Sequence, residues 1–148
     1  MWGEAIEKHM GRMLSAFIVT NTDDQRALLA ILKNRRCEFQ HTVVCQARNP
    51  RFNVSRIPDA LTVCDTVTIE SDMVFNCLID QTKMESTIVV HDEEDCRRFY
   101  SRHNGKDVFS DSKIRSALTK HGTKIEIRYG NQVKKTLITH TVSKHIHC

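Results

Sequence analysis

Asp80 and Glu85 are the two carboxylates that could serve as an acid/base pair. Two carboxyl groups do that work only where their surroundings drive their pKa values apart, and usually with a basic partner close by. No His or Lys is patterned around these two, and they fall in the link between a helix and a strand. A turn or interface role is therefore expected for both. Asp92-Glu93-Glu94-Asp95 has the oxygen ligands of a hard-cation site. The first turn of a helix stabilises such acids without any cation, and that is the reading adopted. His145-Ile-His147-Cys148 alternates good zinc ligands, but no second cluster completes a tetrahedral set. No metal and no cofactor are expected.

Six cysteines stand at 37, 45, 64, 77, 96 and 148, none as C-x-x-C and most within apolar runs. That scatter reads as buried free thiols of a reducing compartment. No Gly-rich phosphate loop, no G-x-S-x-G and no H-E-x-x-H is present, the five glycines standing alone. No catalytic residue is assigned, and the chain is read as not an enzyme.

The elements that would carry these residues read as an α/β pattern. Glu4–Ala16 has helical apolar spacing, and Ala16–Thr20 is a compact apolar run suited to a buried strand. Thr22 or Asp23 can cap a helix with Ala27, Leu28, Ile31 and Leu32 on its inner face, and a short β-branched run follows from His41 to Cys45. Strand, helix and strand at this length predict a parallel βα unit. Residues 46–60 hold both prolines and read as an irregular connection and the best place for a lobe boundary. Thr62–Ile69 alternates as a strand, Asp72–Asp80 as a helix burying Met73, Val74, Cys77 and Leu78, and Ser86–His91 as a strand. A helix opens at Asp92 and runs to about His103, with Cys96, Phe99 and Tyr100 inward, and Asn104-Gly105 stops it. Asp107–Ser110, Lys124–Tyr129 and Val133–Thr139 read as short strands separated by turns at His121-Gly122 and Gly130-Asn131.

The 148 residues, 40% hydrophobic and 27% charged, fit one domain or two small lobes. No apolar run of about 18 residues exists, and Met1-Trp2-Gly3-Glu4 lacks a signal-peptide pattern, so an intracellular protein or an excerpt of one is expected. The net charge of +4 is distributed in blocks: +6 over residues 26–56, −8 over 65–95 and +9 over 97–148. Such blocks can make one face basic. Arg35, Arg36, Arg48, Arg51 and Arg56, several of them flanking Phe52, are candidate nucleic-acid contacts, as are Lys134, Lys135 and Lys144. Basic side chains attract phosphate without reading sequence, and an aromatic ring beside them can stack an unpaired base.

Four segments, in order, resemble the hinge domain of the structural maintenance of chromosomes (SMC) family, in its protein 6 branch. They are Trp2–Glu7 with Met10–Val19; Leu61-Thr62-Val63-Cys64; Val74–Asp80 with Met84-Glu85 and Ile88-Val89-Val90; and Thr119-Lys120-His121-Gly122. The third is the most specific. A Gly-Pro-hydrophobic-Gly segment usual before the tryptophan is absent, so the chain is expected to start inside the domain. The paired glycines that many hinges carry after the glycine turn are also missing, leaving Gly130. The resemblance implies an α/β, two-lobed hinge with mixed sheets and flanking helices over 1–148, from which an antiparallel coiled coil leaves. It further implies heterodimerisation with the hinge of SMC protein 5, DNA binding with a preference for single strands, and a nuclear role in chromosome maintenance, DNA repair and recombination. ATP chemistry would sit in distant head domains.

Hinge partners add strands edge to edge, where residues without side chains allow close approach. Gly122, Lys124, Ile125, Ile127, Tyr129 and Gly130 are the candidate dimer contacts on that reasoning, Lys124–Tyr129 alternating as an edge strand would, and Asp80 and Glu85 join them. An ordinary hairpin role for Gly122 and Gly130 stands beside this reading. The rival function is a stand-alone nucleic-acid-binding α/β domain, and a small enzyme using Asp80 and Glu85 comes third.

Overall fold

The computed structural model describes residues 2–46, 49–102, 114–127 and 133–137, with Ile127 and 133–137 as backbone. The expected strand at Asp107–Ser110, the helix stop at Asn104-Gly105 and the His145–Cys148 tail lie outside these residues, as do Arg48, Tyr129, Gly130 and Lys144. The chain forms two compact units and passes between them more than once. One unit holds the residues up to His9, Val54–Thr68 and the described residues from Lys83 onward. The other holds Met10–Asn53 and Ile69–Thr82. Among the described residues no helix is long and apolar enough to cross a membrane.

Helix α1 spans Gly3–Met10, shorter than its apolar spacing predicts. Gly11 takes φ +53, a left-handed conformation that ends an α-helix, and a 3-10 helix over Gly11–Ser15 follows. The second unit then builds its βα unit: β1 (Phe17–Val19), α2 (Thr22–Asn34) and β2 (Thr42–Val44), with the strands paired in parallel and Phe17 opposite Thr42. The α2 cap is Asn21, not Thr22 or Asp23; its Oδ1 accepts the Asp24 N–H at 2.7 Å. Leu28 and Leu32 turn inward as expected, but Ala27 and Ile31 do not, and Ile31 is 58% exposed. Gln25 shares the inner side and donates to Thr42 Oγ1 at 2.9 Å. Strand β1 is not buried either, since Phe17 is exposed and its sheet has two strands.

Thr62–Ile69 does not form the expected strand. A short helix, α3 (Val63–Thr66), replaces it. Thr62 Oγ1 accepts the Asp65 N–H, while the Asp65 carboxylate takes the Thr62 N–H at 2.9 Å and its hydroxyl at 2.7 Å. This reciprocal capping box satisfies locally the groups that a strand would have to pair elsewhere. Only Thr62 keeps a bridge to the sheet, at Ile88.

Helix α4 (Asp72–Thr82) is buried continuously from Phe75 to Ile79, more widely than a one-face reading allows. A 3-10 turn over Met84–Ser86 leads into β3 (Thr87–Val90), and α5 follows over Glu93–Arg102. Strands β4 (Ser116–Thr119), β5 (Thr123–Ile127) and β6 (Val133–Leu137) complete a mixed sheet in the order β3-β4-β5-β6. The β3–β4 pair is parallel and the other two pairs are antiparallel. Strand β4 has no counterpart among the predicted elements, yet all four of its residues are buried. Ile57, Ile88, Cys96, Phe99, Ile114, Ala117 and Ile125 pack as one core between this sheet and α5. Each fully buried aliphatic or aromatic side chain there stabilises the unit by roughly 1.5–3 kcal/mol. The buried hydroxyls of Thr87 and Ser116, opposite each other across β3 and β4, satisfy one another at 2.9 Å.

Candidate dimer and nucleic-acid interfaces

The Gly122 turn is a tight hairpin between β4 and β5. The Gly122 N–H donates to the Thr119 carbonyl at 2.9 Å, and the Thr123 N–H to Thr119 Oγ1 at 3.0 Å. Gly122 has φ +83, and a Cβ built there would lie 2.8 Å from Lys8 Cδ. The left-handed backbone favours glycine there, and the flexible lysine stem laid across it would have to shift to admit a Cβ. Lys8 is held from its own helix by Glu4, 2.9 Å away, and that ion pair lowers the Glu4 pKa.

Strand β5 is not the edge that its alternation predicts. It lies between β4 and β6, so its backbone groups are paired on both sides. Ile125 belongs to the core, 3% exposed, and its side chain cannot meet another molecule. Among the described residues the unpaired side of the sheet beyond β5 belongs to β6, which carries Lys134 and Lys135, with Lys134 in register with Glu126 and Lys135 with Ile125. The opposite side, at β3, is partly covered: the Val89 N–H donates to the Leu61 carbonyl at 2.8 Å.

Asp80 and Glu85 fall in different units. Asp80 is exposed near the end of α4. Glu85 sits in the 3-10 turn before β3, where its Oε2 is buried with no hydrogen-bond partner among the described residues. Among the described residues neither makes a hydrogen bond to a basic side chain. The acids at the start of α5 behave as helix-terminal acids. Asp92 Oδ1 accepts the Asp95 N–H at 2.9 Å, and this bond holds the Asp92 pKa below its ordinary value. His91, Asp92 and Asp95 offer three ligand-type atoms within 4.8 Å of one another, with His91 and Asp92 exposed and Asp95 half-buried, an arrangement common at acidic helix starts without a cation.

The basic candidates divide sharply. Arg51 is committed to the fold: its Nη1 donates to the Ile69 carbonyl at 3.0 Å and to Asp72 Oδ1 at 3.2 Å, and its guanidinium lies 3.8 Å over the Phe75 ring. Arg35 and Arg36, by contrast, end α2 as exposed cations with no ion pair among the described residues. Arg56 is largely exposed and only brushes Asp65, at 4.0 Å. Phe52 is half-buried and lines a cleft of about 270 Å³ with Val43, Cys45, Asn76 and Asp80 among its walls. The buried Asn76 ties that segment down, donating to the Pro50 carbonyl and accepting the Phe52 N–H, both at 2.8 Å.

Sequence reasoning missed a set of exposed apolar side chains in the second unit. Leu14, Phe17, Ile31 and Val44 are 62%, 41%, 58% and 39% exposed. The apolar run at 16–20 and the helical spacing at 27–32 both signal burial, and nothing in either string tells an inner face from one left open.

No family model matches the sequence. The structural maintenance of chromosomes protein 6B of Arabidopsis thaliana is 24% identical over 98 residues, which are 64% of this chain and 9% of that protein. The crystal structure of the S. pombe Smc5/6 hinge domain superposes with a TM-score of 0.71 at 21% identity, covering 90% of this chain and 51% of that one. This is the SMC hinge fold. The α/β architecture, with mixed sheets, flanking helices and two units, is the one expected of that hinge. The sequence likeness is to an SMC protein and the structural likeness is to an SMC hinge, and the chain spans a small part of the curated relative and about half of the matched structure's chain.

Proposed function

We propose that the chain is a non-catalytic dimerisation hinge of an SMC-type complex, pairing with the hinge of SMC protein 5 and binding DNA, with a preference for single strands. The observation that carries this is the likeness in fold to the S. pombe Smc5/6 hinge domain over 90% of the chain. In the whole protein the hinge would join coiled-coil arms whose distant head domains bind ATP. The assembly would act in the nucleus on chromosomes, in maintenance, repair and recombination.

Two features support pairing. Among the described residues β6 has one side without a paired strand, and such a sheet edge can accept one. The exposed Leu14, Phe17, Ile31 and Val44 lose water contact if covered by a partner. Gly122 and Lys124 are kept as interface candidates at the turn and the start of β5, Lys124 through its side chain alone because its backbone is paired on both sides, and Tyr129 and Gly130 follow in sequence. Asp80 and Glu85 are kept as interface candidates. Mixing with the SMC protein 5 hinge in analytical ultracentrifugation should give a 1:1 complex, and persistent monomers of both would sink the proposal. A monomer that still bound DNA would favour the stand-alone domain.

For DNA, Arg35, Arg36, Arg56, Lys134 and Lys135 are the proposed phosphate contacts, with Arg48 and Lys144 as further candidates. Arg51 is removed from the set because its charge is already paired. Reversing Arg35 and Arg36 to Glu should weaken binding to an oligothymidine in fluorescence anisotropy. The salt dependence should flatten by about 0.7 in log-log slope per lost contact. An unchanged slope would take DNA binding away from the end of α2.

A further inference from the structure

We propose that Cys45 and Cys77 form a dithiol site, oxidised by peroxide to a disulfide that staples the end of β2 to α4. The two residues stand far apart in sequence, and both belong to the second unit, where they line the same cleft. Cys45 follows β2 directly, its N–H bonded to the Val19 carbonyl at 2.8 Å, which fixes its backbone. Its Sγ reaches the Met73 carbonyl in α4 at 3.6 Å.

That carbonyl is the group which the N–H of a residue four places on, Cys77, meets in an α-helix. A helical Cβ tilts towards the helix N-terminus, so the Cys77 side chain leans over the turn that holds Met73. The helix geometry therefore delivers the Cys77 thiol to the place where Cys45 already sits. Burial, with the adjacent Cys45 thiol and Asp80 adding to it, pushes the Cys77 pKa up to about 11. Of the other described cysteines, none of which is in a disulfide, Cys37 and Cys64 are half-buried and Cys96 is buried.

The order of events follows from access. Cys45 is half-buried at the cleft and Cys77 is 2% exposed, so peroxide meets Cys45 first. The Cys45 thiolate attacks one peroxide oxygen, the O–O bond breaks, and the departing hydroxide takes a proton to leave as water. The Cys45 sulfenic acid is then attacked by the Cys77 sulfur, whose proton leaves with the displaced hydroxide. An S–S bond forms, the S–O bond breaks, and a second water carries off the remaining oxygen. Two thiols and one peroxide give one disulfide and two waters. The sulfenic acid has its resolving thiol beside it in the same cleft.

The test treats the folded protein with hydrogen peroxide, blocks remaining thiols, and maps peptides by mass spectrometry without reduction. A Cys45–Cys77 linked peptide, lighter by two hydrogens than the sum of its parts, is expected as the main disulfide, and it should vanish in both Cys45→Ser and Cys77→Ser. Cys45 driven to sulfinic acid with Cys77 still reduced would overturn the proposal, as would a dominant link between other cysteines. Phenylarsine oxide checks the pairing without an oxidant, because its arsenic must bond two thiols and release one water. Wild type should take up an arsenical that is lost in either serine variant, and equal uptake by all three would show that the thiols do not act together. This site does not depend on the hinge reading.

Discussion

Replacing Asn76 with Leu removes two hydrogen bonds while keeping the side-chain volume, so the cavity contribution is small. Asn76 is 2% exposed and joins α4 to the irregular segment through the Pro50 carbonyl and the Phe52 N–H, both at 2.8 Å. Each bond is worth about 1 kcal/mol net, and each stranded partner costs a further ~1–3 kcal/mol where it stays dry. Both bonds are only part-buried, so water relieves some of that penalty, and a total of about 2–4 kcal/mol is expected. The readout is amide hydrogen exchange at Phe52 together with urea unfolding. If the Phe52 amide exchanges by local opening, the loss corresponds to roughly 30- to 700-fold faster exchange. Asn76→Asp keeps the acceptor for Phe52 but loses the donor to Pro50, and should preserve most of the Phe52 protection. A change below about threefold at Phe52 in Asn76→Leu, with an unmoved urea midpoint, would refute the reasoning.

Three further perturbations follow. Gly122→Ala should destabilise by about 1–3 kcal/mol in thermal unfolding because alanine resists φ +83, and Lys8→Ala should relieve the contact with the new Cβ without restoring full stability. Thr62→Val should cost ~0.5–2 kcal/mol by removing one half of the capping box on α3, measured by urea denaturation. Asp92 has a lowered pKa in the folded state, so the stability it adds is present above the ordinary aspartate value and is lost as pH falls through the lowered one. Melting temperatures followed below about pH 4 should therefore drop less steeply in Asp92→Ala than in wild type.

The sequence by itself determined the elements whose signals are local. The β-branched run before His91 became β3, the acids at 92–95 opened α5, and the apolar–polar–apolar order of 16–45 became a parallel βα unit. Those outcomes depend on side-chain periodicity and on charges near helix ends, which act within a turn or two of chain. At Thr62 the local signal was also present, but two local patterns competed. The Thr62–Asp65 capping box prevailed over alternation because it satisfied its groups without needing a neighbouring strand.

Tertiary structure alone decided the rest. Whether β5 is an edge depends on β6 arriving beside it, and whether β4 is a strand depends on buried pairing with both β3 and β5. Arg51 reads in sequence like Arg35, yet Asp72, the Ile69 carbonyl and the Phe75 ring come from distant positions to hold it. Phe17 and Ile31 follow apolar periodicity and remain exposed because no described element covers them. Cys45 and Cys77 come to line one cleft only when the chain leaving β2 reaches α4, where Cys45 Sγ meets the Met73 carbonyl. Periodicity fixes which side of an element is apolar, but packing determines what that side meets, and the candidate interfaces of this hinge fold depend on packing.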